Sequence, residues 1–166
     1  MYQAGEYVVY ADNGLCLVEQ VGVPEFNAGE KDRTYYFLRA TTDKSRIYVP
    51  TDTHMPLRSP MTQDEAEEFL DGLGEIPVSL PERRDRKTVV QHYQNMLSSH
   101  TKEALAQAIK SIRWQHRSAP GRMSGAEESV LKRAEKQLCS ELSGVLRISM
   151  EDAGERLAHA LVPAEE

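Results

Sequence analysis

The stretch Asp85-Arg86-Lys87-Thr88-Val89-Val90-Gln91-His92-Tyr93-Gln94-Asn95-Met96-Leu97 is where the chain changes its period. Val89, Val90, Tyr93, Met96 and Leu97 recur at three- and four-residue intervals and make one apolar stripe, the pattern of an amphipathic helix. Upstream, apolar residues come in short runs divided by turn residues. Downstream, the helical period persists to the end. The reading is an α+β chain: a small N-terminal β-barrel followed by an all-helical C-terminal bundle.

Each downstream helix has a start signal. Ser98-Ser99-His100 breaks the first stripe, and Thr101 caps a second helix with Leu105, Ala108, Ile109 and Ile112 on its apolar face. Trp114 falls off that line. Pro120-Gly121 breaks the chain again. Ser124 and Glu127 have capping-box spacing before Val130, Leu131, Ala134, Leu138, Leu142 and Val145. Ser149 and Asp152 open the last helix, with Leu157, Ala158 and Leu161 behind them. Four helices, antiparallel where loops are short, make the expected bundle over residues 83–166.

Upstream, Tyr7-Val8-Val9-Tyr10 is a β-prone run closed by Ala11-Asp12-Asn13-Gly14, where Asn-Gly tolerates positive φ. Leu15 to Val21 is a second run, and Gly22 to Arg33 a loop. Tyr35 to Ala40 and Arg46 to Pro50 are further strands, turned by Thr42-Asp43-Lys44. Four or five short strands in residues 1–60 fit a small barrel. Between the two parts, residues 61–82 read as a linker holding one short acidic helix. Thr62 and Glu65 form its capping box, and Gly72 and Gly74 end it.

Charge divides the chain more sharply than composition does. The formal net charge of the 166 residues is -6. Asp64, Glu65, Glu67, Glu68, Asp71, Glu75 and Glu82 follow one another with no Lys or Arg among them. Then Arg83, Arg84, Arg86, Lys87, Lys102, Lys110, Arg113, Arg117 and Arg122 face only Asp85 and Glu103. A locally basic helical surface in an acidic protein suits a nucleic-acid backbone, and the bland alternative is a solvated helix face.

Other classes find little support. No run approaches the roughly 18 apolar residues of a membrane span. Met1 to Glu6 lacks the form of a signal peptide, so a cytoplasmic location is the expectation. Cys16 and Cys139 are isolated and read as small buried residues rather than as a disulfide or a nucleophile. His54, His92, His100, His116 and His159 are scattered without metal-ligand spacing. Gly72-Leu73-Gly74 lacks the Lys-Ser/Thr of a phosphate loop. No enzyme activity, cofactor, metal or small-molecule substrate is expected.

The order Gly5-Glu6-Tyr7-Val8-Val9-Tyr10, Asn13-Gly14, Val18 and Val49-Pro50 resembles the CarD/CdnL family of bacterial transcription regulators. Tyr93-Gln94-Asn95-Met96-Leu97 and the Ser124-x-x-Glu127 helix with Leu131, Ala134, Leu138 and Leu142 extend the likeness across nearly the whole chain. The resemblance implies a Tudor-like barrel that binds the RNA polymerase beta subunit. It also implies a helical half that contacts promoter DNA at the upstream edge of the bubble and changes open-complex lifetime. The barrel alone is similar to the polymerase-binding module of the transcription-repair coupling translocase, whose ATPase motifs are absent here.

This places a polymerase contact at Arg39, Arg46, Tyr48, Val49 and Pro50. Weak, largely sequence-blind DNA contact is expected from Arg83, Arg84, Arg86, Lys87, Val89, Lys110, Arg113 and Arg117. In the family a Trp often precedes the Tyr93 position by four residues and acts as a wedge at the fork; here that position is Val89. Relatives often carry Arg before Val-Pro, where this chain has Tyr48, with Arg46 on the same strand face. The competing reading is an adaptor that binds polymerase without useful DNA affinity.

Overall fold

The computed structural model describes residues 1–25, 33–119, 121 and 123–162, without the side chain of Asp12. Most of the expected loop Gly22–Arg33, together with Pro120 and Arg122, lies outside the described residues. The chain divides into two compact units, Met1–Pro60 and Met61–Glu166.

The first unit is one curled antiparallel sheet. Its strands are β1 (Tyr7–Tyr10), β2 (Gly14–Gly22), β3 (Tyr35–Ala40), β4 (Arg46–Pro50) and β5 (Leu57–Arg58). Their order is β4-β3-β2-β1-β5, so among the described residues β4 and β5 end the sheet. It is therefore a half-barrel, open where a closed barrel would pair its ends. Period-2 alternation sets the inner face: Tyr36, Leu38 and Ala40 of β3 join Val8, Cys16, Val18 and Val49 in one buried cluster. Burial pushes the Cys16 thiol up to about 11, with the Asp43 charge adding to it. The register slips between Val18 and Gln20, a bulge that bends the long second strand. The β1–β2 connection is a 3-10 turn, Ala11–Asn13. Positive φ falls on Ala11 (37°) and Gly14 (70°) and not on Asn13, so this is a three-residue connection and not the two-residue turn that Asn-Gly favours.

The second unit holds α1 (Gln63–Gly72), α2 (Arg86–Ser98), α3 (Lys102–Ser118), α4 (Gly125–Leu146) and α5 (Met150–Leu161). Thr62, Asp85, Thr101, Ser124 and Ser149 cap their N-termini, each side chain accepting from the backbone N–H three residues on. Helix α4 packs against each of the others. Val89, Tyr93 and Leu97 of α2, Leu105, Ile109 and Ile112 of α3, and Leu138 and Leu142 of α4 form one core. Ala66 and Leu70 of α1 belong to it too. The acidic helix is thus a fifth member of the helical core, because its buried Ala66 and Leu70, four apart, share one face, with Phe69 packed partly buried against the same core. Its acidic residues Asp64, Glu65, Glu67 and Glu68 stay exposed.

After α1 the chain makes one 3-10 turn, Leu73–Glu75, and runs without regular structure to Asp85. Its backbone groups still need partners. Helices α3 and α2 supply some of them: Lys110 Nζ donates to the carbonyls of Gly74 (2.9 Å) and Ile76 (2.6 Å), and Gln107 donates to that of Pro77. Ser111 Oγ accepts from Ser79 N–H, and His92 Nε2 meets the Ser79 carbonyl at 2.8 Å.

Candidate functional site: an open strand edge and a basic helix end

In the first unit the candidate surface is β4. Ala40 N–H donates to Ser45 O, and Thr51 N–H to Thr34 O. Antiparallel pairs alternate between bonded and non-bonded, so the bonded pairs continue through Leu38–Ile47 and Tyr36–Val49. The backbone groups of Arg46, Tyr48 and Pro50 therefore face away from β3, along the open edge. The same alternation orients the side chains. Ile47 and Val49 point inward, and Val49 is buried in the core. Arg46 and Tyr48 are exposed, and Pro50 is half-buried. Across from them on β3, the same outer face carries Arg39, Phe37 and Tyr35.

The outer face is ordered by its own contacts. Phe37 and Tyr48 meet edge to face, with ring centroids 5.0 Å apart. Arg39 Nε donates to Glu19 at 2.9 Å, and its Nη1 donates to the Lys44 carbonyl. Arg46 and Tyr48 border a shallow concavity of about 230 Å³, with Glu19, Gln20 and Phe37 also in its lining. Of the five expected residues, Arg39, Arg46, Tyr48 and Pro50 share this face, while Val49 supports it from beneath.

The basic stretch of the second unit separates into two groups. Lys110 is buried and its ammonium is bound to the two carbonyls described above. Arg113 is paired with Glu135 at 2.9 Å. Arg84 reaches Glu127, whose side chain is only 6% exposed. Val89 is 5% exposed and belongs to the core, so the position where the resemblance implied a wedge holds a packed residue. Lys110 and Val89 thus present little to a partner.

Arg83, Arg86, Lys87 and Arg117 are exposed. Arg86 and Lys87 make the first turn of α2, which has no acidic residue in it. The other four helices all carry Asp or Glu there. A helix N-terminus has a partial positive charge, so two cations there are unfavourable for the isolated fold and concentrate positive potential. The N-cap Asp85 offsets part of this. Its carboxyl lies below the usual range because Thr88 N–H and Oγ donate to it.

Helix α4 starts beside this turn. Glu127 does not complete the expected capping box by reaching the Ser124 N–H. Its Oε1 accepts from Ser124 Oγ at 2.9 Å, and both carboxylate oxygens lie 3.3 Å from Arg84 Nη2. Box spacing alone gave no sign that a distant arginine claims the carboxylate. Exposed Trp114 lies in the penultimate turn of α3, three residues before Arg117. Among the described residues no group of three His, Cys, Asp or Glu is arranged to hold a metal, and no helix is long and apolar enough to cross a membrane.

Residues 2–59 match the family model described as the CarD-like/TRCF RID domain. The matched stretch coincides with the half-barrel unit. No curated protein matches the chain significantly.

Proposed function

Residues 2–59 are a CarD-like domain of the RNA polymerase-interacting type, and from that premise we propose that the protein is a transcription regulator bridging polymerase and promoter DNA. Its half-barrel binds the polymerase beta subunit. Its helical unit touches DNA near the upstream edge of the bubble and modulates open-complex stability. The observation that carries the polymerase half is the open β4 edge, with Arg46 and Tyr48 exposed on it, inside the matched domain. An exposed edge pairs with a partner strand through backbone hydrogen bonds, and neighbouring side chains select the partner.

The DNA half is supported by the first turn of α2. Arg83, Arg86 and Lys87 stand exposed together at a positive helix end. Such contacts set position and read no sequence. About three phosphates contacted give a log-log salt slope of roughly -3. That is weak binding, and tethering to polymerase raises the effective concentration enough for it to matter.

The adaptor reading has one observation in its favour: Arg84, Lys110 and Arg113 are all engaged within the fold. The two readings separate in a reconstituted open-complex lifetime assay. Arg46→Glu is expected to lower capture by the isolated beta subunit and abolish any change in lifetime. Arg83→Ala/Arg86→Ala/Lys87→Ala is expected to keep beta-subunit capture and lose the lifetime effect. A triple variant that acts like the wild type leaves the adaptor.

A further inference from the structure

Glu127 is the third residue of α4, and its carboxylate is almost wholly withdrawn from water. A buried carboxylate is stable only with donors or a cation against it. Ser124 Oγ supplies one donor and Arg84 Nη2 the cation. Arg84 spends a single terminal nitrogen on this contact. Its Nε and Nη1 have no partner among the described residues, and its side chain is 49% exposed. Arg84 and Arg86 line one open cleft of about 480 Å³ together with Val89, Ser124, Gly125 and Ala126. Arg84 is therefore held through one terminal nitrogen while half of its side chain stays exposed, and Arg86 lines the same cleft.

We propose that Glu127 is a positioning residue for the DNA contact: it pins Arg84 through Nη2 and so presents the Nε–Nη1 edge, with Arg86, as a fork for one backbone phosphate of duplex DNA. This rests on the DNA-contacting reading above. Two effects oppose each other. A free arginine loses rotamer freedom when it binds, whereas a pinned one has lost it on folding. Against this, Glu127 repels the phosphate. The guanidinium stands between them, and the phosphate sits in solvent, where salt screens charges over about 10 Å at 0.1 M. The pinning prevails. Glu127 is also a poor competitor for Arg84. Releasing the arginine to a solvated phosphate would leave a buried carboxylate unpaired, and an exposed contact does not recover that cost. Lysine at position 84 keeps the charge and loses the planar fork that serves both partners.

The test uses the full chain, a short duplex DNA and fluorescence anisotropy across a salt series. The variants are Glu127→Gln, Arg84→Lys, the pair, and Glu128→Gln, which makes the same charge change at the exposed next position. Glu127→Gln is expected to weaken binding about fivefold, although it removes a negative charge. Glu128→Gln is expected to strengthen it slightly. Arg84→Lys should weaken binding as Glu127→Gln does, and the pair should be no weaker than Arg84→Lys alone, the non-additivity of groups acting together. Glu127→Gln binding as well as Glu128→Gln, or Arg84→Lys binding like the wild type, overturns the proposal. Thermal melts check folding. Where Glu127→Gln does not fold, Arg84→Lys decides. If the Arg83→Ala/Arg86→Ala/Lys87→Ala protein binds DNA normally, the whole DNA reading fails. If that variant loses binding and Glu127→Gln does not, only the role of Glu127 fails.

Discussion

The first turn of α2 and the middle of α3 look alike in sequence and behave as opposites in the fold. Both lie in the basic stretch. Arg86 and Lys87 are exposed at a helix end whose dipole opposes them. Lys110 sits mid-helix, buried, its ammonium bonded to two carbonyls of the irregular segment after α1. A cation placed where the fold pays for it is free to meet a partner. A cation placed where the fold needs it is a strut. Charge counting cannot tell the two apart, because the strut's acceptors are main-chain carbonyls with no signature in the sequence.

The largest expected effect breaks the strut. Lys110→Met keeps the length and apolar stem of the side chain and removes its donors. The Gly74 and Ile76 carbonyls then lose a charge-assisted partner, at about 1–3 kcal/mol for each group left unsatisfied. A loss of about 3 kcal/mol is expected in urea unfolding followed by Trp114 fluorescence. The DNA salt slope should not change. A stable Lys110→Met protein whose slope falls by about 1 would place Lys110 among the DNA contacts instead.

What was legible follows the same division. Helix caps at Thr62, Thr101, Ser124 and Ser149 were readable because capping is local: side chain and backbone N–H lie three residues apart. The inward face of β3 was readable from alternation, and so was the shared face of Arg46 and Tyr48. Openness of the sheet was not, since closure depends on whether β4 and β5 meet, and no local pattern specifies that. The membership of α1 in the helical core was hidden by its acidity, because Ala66 and Leu70, with Phe69 beside them, suffice to bury one face of a short helix. The Arg84–Glu127 pair, 43 positions apart, was masked by a capping-box spacing that explained Glu127 well enough by itself. The shift of positive φ onto Ala11 reflects a three-residue connection, which the Asn-Gly pair misdirected.

A middle-sized effect compares the two units by pH. Burial pushes the Cys139 thiol up to about 11, Glu135 adding to it and Arg113 opposing. Burial also pushes the Tyr93 phenol up to about 12, Glu127 adding to it and Arg84 opposing. A folded-state pKa above the unfolded one means the folded state keeps its proton longer. The stability it contributes is complete below the unfolded value and is lost as pH rises through the folded one. The window runs from about 9 to about 12. Each of the two groups is expected to take about 2–3 kcal/mol from the helical unit, followed by Trp114, by the top of that window. In the half-barrel, burial raises the Cys16 thiol within the same window. Tyr93→Phe should remove the upper part of the loss at little cost near neutrality, because Tyr93 Oη has no hydrogen-bond partner among the described residues. An unchanged alkaline limb in Tyr93→Phe would assign the loss to the thiol.

The smallest effect has the opposite sign, and it sharpens the contrast most. Arg86→Ala/Lys87→Ala removes two cations from the positive end of α2 and puts the best helix former in their place. Neither side chain is buried, so no packing is lost. Asp85 keeps its hydrogen bonds from Thr88, since these do not involve the mutated side chains. The balance is a gain of about 0.5 kcal/mol at low ionic strength, shrinking as salt screens the dipole. Urea midpoints at two salt concentrations would read it. The same variant should lose about two phosphate contacts, lowering the DNA salt slope by about 2. Gaining stability while losing binding is the behaviour of residues kept for a partner. If the double variant is instead destabilised at both salt concentrations, Arg86 and Lys87 support the fold as Lys110 does. The first turn of α2 would then be one more strut, and the adaptor reading would gain what the DNA reading lost.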